Sequence, residues 1–168
     1  MALEIERRFL IASDGWRSLA RQPQPLRQAY LAASADGVTV RVRLAENDQA
    51  WLTLKAAADH SGLIRHEFEY AIPMADAEAL WSLAPHRLVK SRYGLNLVGG
   101  DWVVDWFEAD NAPLLIAEVE LPHADSPLTI PDWCGQEITG DSRLSNAQLA
   151  LHPFQRWSAE DRHRFGFS

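Results

Sequence analysis

The sequence predicts a mainly β protein of the α+β kind, an eight-stranded antiparallel sheet closing into a barrel with a few flanking helices. Three observations carry that expectation. Apolar and polar residues alternate at period two in about eight segments, the mark of half-buried strands. Short stretches rich in Gly, Asp, Asn and Pro join nearly all of them, so successive strands can pair antiparallel. Only one mid-chain segment repeats its apolar residues at helical spacing. A sheet of that many strands tends to curl and close, because closure removes its exposed edges.

The elements follow in chain order. Residues 4–11 form the first strand, with Glu4, Glu6 and Arg8 on one face and Ile5, Arg7 and Phe9 on the other. Ser13-Asp14-Gly15 turns the chain, and residues 14–25 read as a short helix or coil around Trp16 and Leu19, closed by Pro23 and Pro25. Residues 26–31 are a short strand. After Asp36-Gly37, residues 38–44 alternate strictly and are rich in β-branched side chains. Glu46-Asn47-Asp48 turns into a strand at 50–56, the second arm of a hairpin, and Ser61-Gly62 opens a long strand at 63–72. Behind Pro73, residues 74–84 place Met74, Ala77, Leu80, Trp81 and Ala84 on a helical stripe. Strands follow at 87–93, 101–107 and 114–121. Residues 122–140, with Pro122, Pro127 and Pro131, read as loop, and 146–151 as one or two helical turns. Residues 152–168 form a tail whose Phe154, Trp157, Phe165 and Phe167 pack on the body, so that 1–168 is one domain.

Composition narrows the classes. No apolar run in the 168 residues approaches the roughly 20 that a membrane-spanning helix needs. Met1-Ala2-Leu3-Glu4 lacks the basic and apolar segments of a secretory signal. The single Cys134 excludes an internal disulfide or a multi-cysteine zinc site and suits a reducing cytoplasm; beside Trp133 it reads as a small buried hydrophobe. A net charge of −7 argues against a nucleic-acid binder. The six histidines show no ligand-like spacing, and neither a glycine-rich phosphate loop nor a nucleophile triad is visible.

The charges themselves are ordered. Glu4, Glu6, Glu67, Glu69, Asp105, Glu118 and Glu120 supply acid, and Arg8, Arg41, Arg43, Lys55, Arg65, Lys90 and Arg92 supply base, mostly in pairs two residues apart. Two closed barrels fit this pattern. In one, apolar faces fill the barrel and the charges meet water; in the other, the charges point inward and the helix, the aromatic tail or a second subunit covers the apolar outside. The second has specific chemistry. Buried charges persist only when paired or ion-bound. Arginine and lysine suit phosphate oxygens, and carboxylates are hard ligands for Mg²⁺ or Mn²⁺. Phosphoryl transfer, mostly positioning and charge stabilisation, uses both.

Glu4-Ile5-Glu6-Arg7-Arg8 resembles the ExExK signature of the CYTH superfamily, the triphosphate tunnel metalloenzymes. The likeness continues in order through Arg41-Val42-Arg43, Thr53-Leu54-Lys55, Glu67-Phe68-Glu69, Lys90-Ser91-Arg92, Asp105, Glu118-Val119-Glu120 and Thr139-Gly140-Asp141 before Asn146, covering roughly residues 2–151. It implies a charged eight-stranded tunnel, usually in a homodimer. Members hydrolyse inorganic triphosphate, thiamine triphosphate or RNA 5′-triphosphates, or cyclise ATP; this chain most resembles the bacterial inorganic triphosphatases, with a small triphosphate as substrate. The resemblance assigns Glu4, Glu6, Glu69, Asp105, Glu118 and Glu120 to metal, Mg²⁺ or Mn²⁺. It assigns Arg8, Arg41, Arg43, Lys55, Arg65, Lys90 and Arg92 to phosphate oxygens, and Glu6, Glu67 and Arg8 to the chemistry. Arg8 departs from the family lysine, a candidate base or phosphate contact there. Arginine stays protonated, so binding is the role left to it, and a carboxylate such as Glu6, Glu67 or Glu120 must help activate the water. Leu144 stands where the family usually has an aromatic residue near one tunnel end. The alternatives are an adenylate cyclase or thiamine triphosphatase of the same family, a non-catalytic polyphosphate- or nucleotide-binding module, and an ordinary barrel with a charged exterior.

Overall fold

In the computed structural model, which describes residues 3–34 and 37–168, nine strands form one antiparallel sheet. Met1, Ala2 and the Asp36 of the expected turn lie outside the described residues. The strands are β1 (Leu3–Ile11), β2 (Gln24–Ala32), β3 (Thr39–Ala45), β4 (Gln49–Ala57), β5 (Ile64–Ala71), β6 (His86–Gly94), β7 (Asp101–Phe107), β8 (Leu115–Glu120) and β9 (Cys134–Glu137). Their order is β5-β4-β3-β2-β6-β7-β8-β1-β9, and a β5–β1 pairing closes the first eight into a barrel. Three α-helices accompany them: α1 (Met74–Leu83), α2 (Asn146–Leu151) and α3 (Ala159–Arg164).

Two expectations need correction. Residues 122–140 are not all loop, because Cys134–Glu137 pairs with β1 as a ninth strand. The cause lies in β1. One of its edges pairs with β8 from Glu6 to Leu10, whereas the other meets β5 only from Leu3 to Ile5. The chain splays there, and β9 takes up the exposed edge from Phe9 to Ile11, with Ile138 N–H donating to the Arg8 carbonyl at 2.8 Å. The segment between β1 and β2 is a 3₁₀ turn, Asp14–Leu19, and β2 begins earlier than expected, running through Pro25.

The charges point inward, so of the two barrels left open by the sequence the second is the one adopted. Outer apolar faces are covered in two places. Phe9, Trp102, Val104, Ala117 and Val119 pack beneath Trp16, Leu95 and Trp133, and Val42, Leu44, Ala29 and Ala50 pack beneath α1 through Ala77. The inward parity carries more than charge, however. Further along the same strands it delivers Leu10, Tyr30, Leu88, Phe107 and Ile116, which join Leu144, Leu149, Phe154, Trp157 and Phe165 from the carboxy-terminal segment in one apolar cluster. That cluster plugs one end of the barrel, next to the charged length. Asn111, 3% exposed, ties the plug in place: its amide donates to the Leu149 carbonyl at 3.1 Å and its oxygen accepts from Phe154 N–H at 2.9 Å.

Candidate active site in the barrel interior

Strand periodicity builds the site. Residues two apart on β1, β3, β4, β5, β6, β7 and β8 face inward, and cross-strand pairing sets opposite charges side by side. Glu4 lies opposite Arg65 across β1–β5, Lys55 opposite Glu67 across β4–β5, Arg92 opposite Asp105 across β6–β7, and Arg8 opposite Glu118 across β1–β8. The side chains follow suit. Lys55 Nζ lies 2.7 Å from Glu4 and 2.8 Å from Glu67, and Arg65 reaches Glu6 at 3.0 Å and Glu4 at 3.3 Å. Arg41 donates to Thr53 and Glu69 at 3.0 and 3.2 Å. The deepest pair is Lys90 and Asp105, 2.5 Å apart with no side-chain exposure; Arg92 grips Asp105 with two donors and reaches Glu118 at 3.3 Å.

These contacts divide the sequence-predicted residues. Both Asp105 oxygens are bonded to cations, and Lys90 is further held by Asn146 Oδ1 at 3.0 Å. Beside the plug, against α2, a cavity of about 380 Å³ is lined by Glu6, Arg8, Arg41, Lys55, Arg65, Tyr30 and Asn146. Here buried nitrogens lack hydrogen-bond partners: Nε of Arg41, and Nε and Nη2 of Arg8, whose Nε lies 3.4 Å from Glu118 Oε1 and whose Nη1 donates to the Leu144 carbonyl at 2.9 Å. Such orphans cost about 1–3 kcal/mol each unless an acceptor reaches them. No histidine lines this cavity. Half-buried Cys134 packs against the Trp133 cluster, and burial raises its thiol to about 11.

The carboxylates are crowded. Burial, then Glu118 and Glu4, push Glu6 up to about 7. Burial, Glu4, Glu67 and Asp101 raise Glu120 as well. Burial alone would raise Glu4, but Lys55 and Arg65 outweigh it and hold the group at about 2; in the same way Arg8 and Arg92 hold Glu118 well below the usual carboxylate range. Among the described residues no three acidic, cysteine or histidine side chains already converge as metal ligands. Glu4, Glu6, Glu118 and Glu120 are nonetheless hard oxygen donors, two of them pushed towards protonation by their neighbours, and Glu118 Oε1 is buried without a hydrogen bond. That donor set fits Mg²⁺ or Mn²⁺.

Residues to which the sequence assigned no role complete the interior: Gln28, Tyr30, Thr53 and Asn146. Period two contained part of the signal, because Thr53 is in step with Lys55, and Gln28 with Tyr30. Their neutrality hid them in a search for charge.

A CYTH domain model matches residues 2–152, the whole length that builds the barrel, its interior and the plug helix. The chain belongs to the CYTH family. Two curated relatives are similar almost end to end. An inorganic triphosphatase of Acetivibrio thermocellus is 37% identical over 159 residues, 94% of this chain and 99% of that protein. One of Nitrosomonas europaea is 36% identical over 154 residues, 88% and 97% of the two. A crystal structure of an inorganic triphosphatase superposes on this CYTH barrel with a TM-score of 0.63 at 34% identity, covering 90% of this chain and 96% of that one.

Proposed function

We propose that this CYTH protein hydrolyses inorganic triphosphate, releasing orthophosphate, with Mg²⁺ or Mn²⁺. The observation that supports it most is the cavity of about 380 Å³, where guanidinium nitrogens of Arg8 and Arg41 await acceptors beside carboxylates that repel one another. A polyanion and a divalent cation answer both needs at once. The two curated relatives, both inorganic triphosphatases, point the same way.

Glu4, Glu6, Glu118 and Glu120 are the proposed metal holders. When bound there, the cation offsets their repulsion, polarises phosphoryl oxygens and makes water easier to deprotonate. Arg8, Arg41, Arg43, Lys55 and Arg65 grip phosphate oxygens, which aligns the terminal phosphorus for in-line attack and stabilises the charge that develops on the leaving oxygen. Glu67, whose buried Oε2 lies 2.8 Å from Lys55 Nζ, accepts the proton of the attacking water. Glu69 orients Arg41. We assign Lys90, Arg92 and Asp105 to a closed ion cluster that sets the field of the site, because each Asp105 oxygen is already engaged.

Arg8 binds and does not move protons, so the reaction needs no lysine at that position. Steady-state phosphate release tests this division of labour: Arg8→Lys is expected to stay within about tenfold of the unmodified protein, and Glu6→Gln to lose on the order of 10²–10³-fold. Activity in Arg8→Lys alone would assign the chemistry to a lysine and make the natural chain a binder.

The same reading places the protein in the cytoplasm, as a homodimer. No helix among the described residues is long and apolar enough to cross a membrane. For the dimer, the support is an apolar strip on the outer face of β4 and β5, where Leu54 pairs with exposed Phe68 and Leu52 with exposed Tyr70, beyond the cover of α1.

A further inference from the structure

Six of the seven interior cations have a carboxylate within ion-pair distance: Arg8 faces Glu118, Arg41 Glu69, Lys55 Glu4, Arg65 Glu6, and Lys90 and Arg92 share Asp105. Arg43 is the exception among the described residues. Its recorded side-chain partner is a neutral amide, with Arg43 Nε donating to Gln28 Oε1 at 3.0 Å. Gln28 is fully buried, and its Nε2 donates to the Tyr30 hydroxyl oxygen at 3.1 Å. The amide orientation follows from chemistry: a guanidinium only donates, so the Gln28 oxygen must face it and the NH₂ group must face Tyr30. Gln28 pairs directly with Arg43 across β2–β3, and Tyr30 with Arg41, so the chain of contacts is built into strand register.

We propose that Gln28 is a positioning residue for triphosphate binding: it fixes the Arg43 guanidinium through a neutral acceptor and so leaves that cation's charge uncompensated for the incoming phosphate chain. A carboxylate at the same place would orient Arg43 equally well but neutralise it. The chain spends a fully buried glutamine where a carboxylate, found at every other interior cation, would form a stronger contact. The cost is visible, since burial together with Arg41 and Arg92 nearby lowers the Arg43 guanidinium to about 9. An anion arriving between Arg41 and Arg43 relieves that cost. Gln28 touches no substrate in this scheme and acts through Arg43, and the inference rests on the triphosphatase reading of the site.

The test compares Gln28→Glu with Gln28→Met in steady-state kinetics on inorganic triphosphate with Mg²⁺, alongside thermal unfolding. Gln28→Glu is expected to keep the fold, because it offers Arg43 an ion pair, yet to raise KM about tenfold with kcat within about threefold. Gln28→Met leaves Arg43 charged but loosely held, and is expected to raise KM less while lowering the melting temperature more. A merely structural glutamine gives the opposite order, with Met the worse substitution for KM and Glu harmless. That order, or an unchanged KM in Gln28→Glu, overturns the proposal. If the unmodified protein releases no phosphate, the proposed activity fails instead; triphosphate binding by calorimetry then carries the comparison, with the same order of affinities expected.

Discussion

Glu6 concentrates the opposing demands on a single side chain. It is 8% exposed, flanked by Glu4 and Glu118, and approached by Arg65 at 3.0 Å. Its carboxyl lies at about 7, above the ordinary 4.5. A carboxyl whose folded pKa exceeds its unfolded one favours the folded state most below the unfolded value and loses that contribution as pH rises through the folded one. In chelator, Glu6 therefore costs stability progressively between pH 4.5 and 7. Urea unfolding of the unmodified protein and Glu6→Gln checks it: the variant is expected to gain relative stability across that window, on the order of 1–3 kcal/mol. A difference independent of pH would mean that Glu6 is not crowded. At this scale the charged residues were legible, because alternation at spacing two exposes them in sequence, whereas Gln28 and Asn146 carry no charge and are identified only by their partners Arg43 and Lys90.

At the scale of elements, the strands were legible wherever alternation was long. β3, with Val40 and Val42 against Arg41 and Arg43, is such a case. β9 was not, because four residues, Cys134 to Glu137, follow a proline-rich stretch and owe their strand pairing to the edge that β1 leaves open beyond β5. No local pattern encodes an edge created elsewhere. The wall of the cavity depends on a similar meeting of distant segments. Gly62 and Gly140 touch there with positive φ of 72° and 75°, and both line the cavity. A Cβ on Gly140 would meet the Ser61 carbonyl oxygen at 2.7 Å. Gly140→Ala thus combines strain with a backbone clash, and chemical denaturation is expected to show a loss of about 2–4 kcal/mol. A loss below about 0.5 kcal/mol would show that the two loops move apart freely.

The whole molecule inverts the usual arrangement of a small barrel, and the sequence could not decide this because period-two alternation is symmetric between inside and outside. Covering elements break the symmetry: α1, the 3₁₀ turn with Trp16, and Trp133 bury outer apolar faces, while Leu144, Leu149 and Phe154 plug one end. We take residues 152–168 as part of the same domain on the strength of that plug. Leu144 fills its place fully buried, so the end closes without the aromatic residue of the family pattern. The outer face of β4 and β5 remains, with Phe68 and Tyr70 exposed. Sedimentation equilibrium is expected to give a dimer that Phe68→Glu, Tyr70→Glu converts to monomer; a dimer that survives the pair of charges would place the interface elsewhere. The claim that matters most is that the interior charge lattice is a site for triphosphate and metal and more than a set of structural ion pairs. Phosphate release from inorganic triphosphate by the unmodified protein, with Mg²⁺ or Mn²⁺ and again with excess chelator, addresses it directly. Turnover with metal and none in chelator is the expected result; no release with either metal, in a protein whose melting temperature ignores triphosphate, would contradict it.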